Sequence, residues 1–548
     1  MAGVVGARLG PAVGGRMEPV ARKRRLFAPD YLRLAVLAAV AAAVHLWLVS
    51  HTATTARDGI GFARYAINLQ SPHHVPKEAD YGRTVLKVIK EQQHPPAYPV
   101  AIWAAGKVVR KYSSLSHPEA YLLAAQLVSA AAAVLLVIPT YLTGRMLFGR
   151  SVGFAAALLL QILPTPARIT SDALTEGVYR LVAATAVMLG VRAVRRPGVG
   201  GFLLCGLASG VTYLVRPEGL IVAGAVGVTA AALAAARRWP LDLTLGRVAA
   251  LFVGVVSVAG PYVVVIEKLT NKPTGHEFLN PGQNPRAKLF KNQPDAQAKP
   301  VVAAPLFAEW RESGSGRVAW AGQALATETW KALYYGPAVL AVLGLVLLRR
   351  RIAADPGLWF LLILAGLNGL LLMALGFKVG YISERHTILL VMIGCIFAAA
   401  ALEPVAALLG GRVRPEWLLV LIAAAALPMT LKPLHANREG FKHAGHWLAE
   451  NVKPGDCVVD PFEWSLWYSE QSLYFVPEDP PADPPPLITY AVVDDRTRPD
   501  EHVRLPRLDA AINVMNDGRS TVVYHWPEDV PEAAAKVKVY KLVRPRTP

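Results

Sequence analysis

Cysteine is nearly absent from this chain, with three residues in 548. Cys205 and Cys395 lie inside apolar runs and Cys457 stands alone near the end, so the sequence encodes no disulfide framework and no metal-spaced cysteine set. Charge is also scarce, at 18% against 53% hydrophobic residues, a balance too apolar for a soluble protein of this length. Acidic residues are the scarcer sign: 39 Asp and Glu face 57 Lys and Arg, for a net charge of +18. That excess does not call for a nucleic-acid partner, because the basic residues sit in short clusters between apolar runs, where they act as membrane topology signals. No internal repeat is visible, and low complexity is confined to Ala-rich runs and the proline run "PEDPPADPPP".

What the sequence has in abundance is long apolar runs. The first, residues 31–50, follows the basic stretch "ARKRR" and has the length of a full span rather than of a signal core, so it reads as a retained anchor. The small residues of "TATTA" would admit a cleavage site, and the later runs would keep the chain embedded either way. Further runs fall near 118–144, 151–167, 173–191, 199–215, 218–236, 248–266, 332–348, 357–377, 386–408 and 416–431. The sequence thus predicts an α-helical polytopic membrane protein of about 11 spans.

With residues 1–30 as a basic cytoplasmic tail, the clusters around Arg145, Arg150, Arg192, Arg237, Arg349 and Arg412 all fall inside, as the positive-inside rule requires. The segment "AYPVAIWAAGKVV", residues 97–109, would reach only about 20 Å as a helix. Counting it as a span would turn every later basic loop outward, so it is assigned to the outer interface. Residues 31–431 then form the transmembrane domain, with outer loops at 51–117 and 267–331, and residues 432–548 form a small extracytoplasmic α/β domain. The evidence for that domain is an amphipathic helix in "NREGFKHAGHWLAEN", a Pro-Gly turn, and the β-rich runs "LITYAVVDD", "STVVYHW" and "VKVYKLV". In the first outer loop, Val85, Leu86, Val88 and Ile89 of "KEADYGRTVLKVIKEQQ" suggest an interfacial helix.

The ionisable residues near span ends sort unevenly. Asp58, His94, Asp172, Glu176, Arg216, Glu218, Glu384, Arg385 and His386 all map to the outer side, which suggests a site at that interface. Asp58 lies in "TTARDGIGFARYAINLQ" beside the aromatic pair Phe62 and Tyr65, where a carboxylate can accept a proton from an attacking group. From spacing alone an interfacial loop residue or a helix cap explains a lone Asp there better, since single aspartates after a span are common. His94 of "HPPAYP" can bind a phosphate or metal, or can belong to a rigid turn that launches the next helix; His73 and His74 read as loop residues. Glu176 and Arg180 are four residues apart on one span, a spacing that favours an ion pair. An arginine two turns into a membrane must face protein or water. Arg216 of "LVRPEGL" and Arg385 of "GYISERHTILL" defy the inside-positive trend, and a guanidinium at the outer surface matches phosphate geometry. Snorkelling to lipid headgroups is the alternative for either one taken singly.

Together these motifs resemble the GT-C superfamily of membrane glycosyltransferases, particularly its protein O-mannosyltransferase, aminoarabinose transferase and Rgt-like branches. "RDGIGFARYAINL", "HPPAYP", "LTEGVY", "RPEGL" and "SERHTILL" run in the expected order across residues 51–390, with an outer α/β tail. The resemblance implies that Asp58 is the catalytic base and that Arg385 holds the lipid phosphate, with Arg216, His94 and Arg180 as further donor contacts. It makes Glu176 the outer acidic residue, accompanied by Asp172, Tyr65 and Glu218. The implied donor is a polyprenyl-phosphate sugar, the acceptor a lipid, glycan or protein, and the reaction an inverting transfer in cell-envelope glycosylation. Many relatives carry Asp-Glu where this chain has Asp58 and Gly59, and an aromatic hydroxyl where it has Phe62. A second carboxylate for a divalent metal is therefore unsupported, and no cofactor is expected. The competing readings are a polytopic transporter, which would place ionisable residues at the midplane, a lipid-linked glycan polymerase or ligase, and a non-catalytic scaffold.

Overall fold

The computed structural model describes residues 28–70, 84–272, 314–410, 412–473, 487–494, 497 and 508–544. The basic N-terminal tail, His73 and His74, most of the 267–331 loop and the proline run lie outside those residues.

Among the described residues, eleven α-helices precede the long loop: α1 (Ala28–Ser50), α2 (Arg57–Gln70), α3 (Val85–Glu91), α4 (Ala97–Tyr112), α5 (His117–Phe148), α6 (Arg150–Ile162), α7 (Pro164–Ser171), α8 (Glu176–Arg195), α9 (Val199–Val215), α10 (Leu220–Ala235) and α11 (Leu241–Ile266). After it come Gly314–Ala332, Gly336–Leu347, Pro356–Val379, Ile388–Leu408 and Pro415–Thr430, with a short helix at Arg349–Ala354. Every apolar run seen in the sequence is centred on helix. Among the described residues, seven helices are long and apolar enough to cross a membrane, or up to nine if each bent pair is one span, and α9 and Pro415–Thr430 are shorter apolar helices.

Two features depart from straight spans. The run at 151–167 breaks at Leu163, and α6 and α7 meet at 64° because Pro164 begins a new helix where its missing N–H costs nothing. Part of the segment read as the 267–331 loop is helix, Gly314–Ala332, which meets Gly336–Leu347 at 109° across Tyr334 and Tyr335. In α3, Val88 is buried while Val85 and Leu86 are exposed, so its apolar residues do not share one face as expected.

Close packing fixes the bundle. Gly206 of α9 and Gly254 of α11 face each other with no room for a Cβ on either, so the two backbones touch. At the opposite end of the bundle from the outer motifs, Asp30 of α1 accepts a hydrogen bond from Tyr141 at 2.5 Å and pairs with Arg145 at 3.3 Å and Arg150 at 3.1 Å. That knot ties the start of α1 to the α5–α6 turn.

The C-terminal domain has a four-stranded sheet in the order β1-β2-β4-β3, built from β1 (Cys457–Val459), β2 (Ile488–Asp494), β3 (Thr521–Trp526) and β4 (Val537–Val543). β1 and β2 are parallel and the other pairs antiparallel. The helix Glu439–Asn451 covers one face through Phe441, Ala444 and Leu448. These side chains share one core with Phe62 of α2, Tyr98 and Ile102 of α4 and Tyr121 of α5, so the domain sits on the segment that links α1 to α5. This α-helical membrane domain with a small C-terminal sheet is the fold class the sequence predicts.

Candidate active site

Asp58 occupies the first turn of α2, where its carboxylate meets the positive end of the helix. Its Oδ2 lies 2.7 Å from Nη1 of Arg385, which sits in the turn before the helix Ile388–Leu408. Both side chains are partly exposed, at 49% and 36%. Next to Arg385, Glu384 accepts a hydrogen bond from Thr165 of α7 at 2.5 Å.

Beside this pair runs a chain of alternating charge. Glu176, buried at the start of α8, accepts from Arg216 at 2.8 Å. Arg216 also stands 3.7 Å from Glu218 across the tight turn Pro217–Gly219, and Glu218 in turn receives Lys272 at 2.8 and 3.1 Å. The Arg216 guanidinium lies over the Tyr179 ring, 5.5 Å from its centre. Burial disfavours the Arg216 cation, yet Glu176 and Glu218 outweigh it and its pKa stands above the ordinary value. For Lys272 burial wins over Glu218, and the pKa falls. For Arg385 burial is again opposed, by Asp58 and then Glu176, and the net shift is upward.

Two histidines complete the rim. His94 packs edge-on against Phe62, ring centres 4.9 Å apart, and its pKa drops to about 4 through burial first and then the Lys272 and Arg216 charges. His386 is likewise held at about 4 by burial, Arg216 and Arg385. The Ser383 N–H donates to His386 Nδ1 at 3.1 Å, so in the neutral ring the proton resides on Nε2.

Glu176, Arg216, Glu218, Lys272, Arg385 and His386 form the polar end of a cavity of about 640 Å³. The rest of its wall is mostly apolar, including Leu367, Leu371 and Leu375 of Pro356–Val379 and Ile221 and Gly224 of α10, with Thr270 and Asn368 as further polar lining residues. The arrangement offers cations at the mouth of a hydrocarbon-lined slot, with a carboxylate, Asp58, on the adjoining side.

Of the residues singled out in the sequence, Asp58, His94, Glu176, Arg216, Glu218, Arg385 and His386 come together, and Glu384 lies next to Arg385. Three do not. Asp172 is a structural knot: Oδ1 accepts from the Ala56 N–H at 3.0 Å and the Ala173 N–H at 2.8 Å, while Oδ2 bonds His435 at 2.7 Å. Tyr65 is buried away from the cavity lining, its hydroxyl without a hydrogen-bond partner among the described residues. Arg180 is sealed in the bundle, 2% exposed, with Nη1 donating to the Pro166 carbonyl at 2.8 Å. The Glu176–Arg180 pair favoured by spacing gives way to Glu176–Arg216, because the start of α8 packs against the α9–α10 turn. Lys272 escaped the sequence reading, since "LTNKPTG" carries neither periodicity nor a motif. Among the described residues, no three His, Cys, Asp or Glu side chains converge as metal ligands.

Residues 93–262 match the family model of dolichyl-phosphate-mannose-protein mannosyltransferases. No curated protein matches the chain by sequence. Among solved structures, ArnT from Cupriavidus metallidurans bound to undecaprenyl phosphate aligns with 94% of this chain and 98% of its own, at 14% identity and a TM-score of 0.52. The apo state of the same protein gives 13% identity and the same TM-score. The Archaeoglobus fulgidus oligosaccharyltransferase aligns with 82% of this chain at 15% identity and a TM-score of 0.46, and this chain spans only 58% of its length. The chain is thus similar over residues 93–262 to the dolichyl-phosphate-mannose-protein mannosyltransferase family, and as a whole it shares the multi-pass helical fold of ArnT.

Proposed function

We propose that the protein transfers a sugar from a polyprenyl-phosphate donor to a lipid, glycan or protein acceptor at the extracytoplasmic face of the cell membrane, with inversion at the anomeric carbon. The observation that carries this reading is the Asp58–Arg385 pair, whose arginine lines the polar end of a leucine-rich cavity. An isoprenoid chain matches the apolar wall, and a phosphate matches the cationic rim. ArnT, which shares the fold, was crystallised with undecaprenyl phosphate, a ligand of that chemistry.

In the proposed reaction an acceptor hydroxyl or amine attacks the anomeric carbon from the face opposite the phosphate. The bond from that carbon to the phosphate oxygen breaks, the acceptor's proton passes to Asp58, and the polyprenyl phosphate leaves with its charge held by Arg385. Without donor, Asp58 and Arg385 neutralise each other. A phosphate that takes the guanidinium frees the carboxylate to act as base, so donor binding and base activation are coupled.

The charge count supports a monophosphate donor and a metal-independent reaction. Arg216, Lys272 and Arg385 are matched by Glu176, Glu218 and Asp58, and Arg385 is the cation whose partner is most open to displacement. A second acidic residue at position 59 would not fit, as a Cβ there would lie 2.8 Å from Ala173 Cβ. The sealed environment of Arg180 argues against a transport path through the midplane.

The test is transfer of labelled sugar from polyprenyl-phosphate donors by the purified protein beside Asp58→Asn. Loss of a positioned base lowers kcat by about 10²- to 10⁴-fold. Full activity in the variant removes Asp58 as base, and no transfer from any donor sinks the reading.

A further inference from the structure

α2 presents Asp58 to Arg385, a lining residue of the cavity, and is gripped by the C-terminal domain through Arg57 and Arg64. Arg57 and Arg64 stand seven residues apart, two helical turns along one face of α2. A single carboxylate reaches both: Glu463 Oε1 lies 3.1 Å from Arg57 Nη2, and Oε2 lies 3.4 Å from Arg64 Nη2. Arg64 Nε also donates to the Ser472 carbonyl at 2.7 Å.

The element that offers Glu463 is itself over-determined. Glu463 has φ +68°, a left-handed conformation unusual for its residue type. It is held there by Asp460, which accepts from the Phe462 N–H at 2.8 Å and the Ser465 N–H at 2.7 Å. Trp464, the next residue, donates from Nε1 to the Thr55 carbonyl at 3.0 Å, and the Tyr468 hydroxyl bonds Thr54 at 3.0 Å. The segment leading into α2 is therefore fastened to the same turn. On the far side of Asp58, Gly59 lies against Ala173 with no room for a side chain. The residues flanking Asp58 are thus held from two directions, Arg57 by the C-terminal domain and Gly59 by the α7–α8 turn.

We propose that the C-terminal domain is a positioning element of the active site, in which Glu463 fixes the rotation and depth of α2 through Arg57 and Arg64 and so sets the reach of the Asp58 carboxylate. The proposal rests on the reading of Asp58 as the base. Glu463 touches no part of the cavity lining and acts only through α2. Partly exposed ion pairs contribute little to stability, so the geometry of this clamp matters more than its strength. A base displaced by a fraction of its working distance loses rate steeply.

The experiment compares the full-length purified protein with Glu463→Gln, Glu463→Asp, Arg57→Gln and the double variant Glu463→Gln/Arg57→Gln. Transfer kinetics and melting temperature are both read. In Glu463→Gln, kcat falls about 10- to 100-fold, donor KM and the melting temperature stay near wild type, and Glu463→Asp recovers part of kcat. The double variant is no slower than the slower single, because both singles break the same contact. Wild-type kcat in Glu463→Gln alongside an inactive Asp58→Asn overturns the proposal. So does a loss of kcat that follows the melting temperature and is not rescued by Asp. If Glu463→Gln fails to fold, Arg57→Gln carries the same expectation and the same refutation. Full activity in Asp58→Asn is a different result, removing the reading of the base whatever Glu463 does.

Discussion

Single side chains in this site are defined by the charges around them. His94 and His386 both face a rim of cations, and burial, reinforced by Arg216 and by Lys272 or Arg385, holds each pKa at about 4, below the ordinary 6.5. Between those values the unfolded chain binds more protons than the folded one, so stability falls as pH drops through about 6.5 toward 4 and is flat above that window. Replacing His386 by Gln removes one of these contributions, and the fall in melting temperature from pH 7 to pH 4 becomes shallower than in wild type. An unchanged slope in both His386→Gln and His94→Gln would mean that neither ring is kept neutral by the fold. Most of the rim was legible in the sequence because membrane topology sorts residues by side. Asp58, His94, Arg216, Glu218 and Arg385 stand out once the basic loops fix which ends are outer. Pairing was less legible: Glu176 chooses Arg216 over Arg180, and Lys272 closes the network from a segment with no pattern to mark it. Those choices depend on which turns meet in space.

At the scale of elements, α2 is the piece on which the proposed chemistry depends. Its start packs against the α7–α8 turn, where a Cβ on Gly59 would lie 2.8 Å from Ala173 Cβ and 2.9 Å from the Ala173 carbonyl oxygen. In a free helix Gly→Ala gains about 0.5–1 kcal/mol. Here overpacking against backbone costs about 1–3 kcal/mol, and that effect wins. Gly59→Ala is therefore expected to lower the melting temperature and, by pushing α2 outward, to lower kcat as well. A variant that melts at or above wild type would show that α2 is free to shift. Helix positions followed from apolar run length, but the breaks did not. The 64° bend at Leu163 has a local cause in Pro164, visible in hindsight, whereas the 109° turn at Tyr334 and Tyr335 lies within a run that reads as continuous. Apolar composition measures length in a membrane; direction comes from packing.

At the scale of the whole molecule, the expected membrane orientation turns on α4. Basic loops require residues 97–112 not to cross, since a crossing there would turn every later cluster outward. The packing sets α4 beside the C-terminal domain: Tyr98 and Ile102 share one core with Phe441, Trp464 and Tyr468. The Asp30–Arg145–Arg150 knot marks the other side, where the remaining arginine loops gather. Reporters fused after residue 110 and after residue 544 are therefore expected to report the extracytoplasmic compartment, and fusions after residues 196 and 412 the cytoplasm. A cytoplasmic reporter at 110 would make α4 a span and separate it from the domain it packs against. It would also move Asp58 and Arg385 to opposite faces of the membrane, so the 2.7 Å pair on which the proposed chemistry stands could not form.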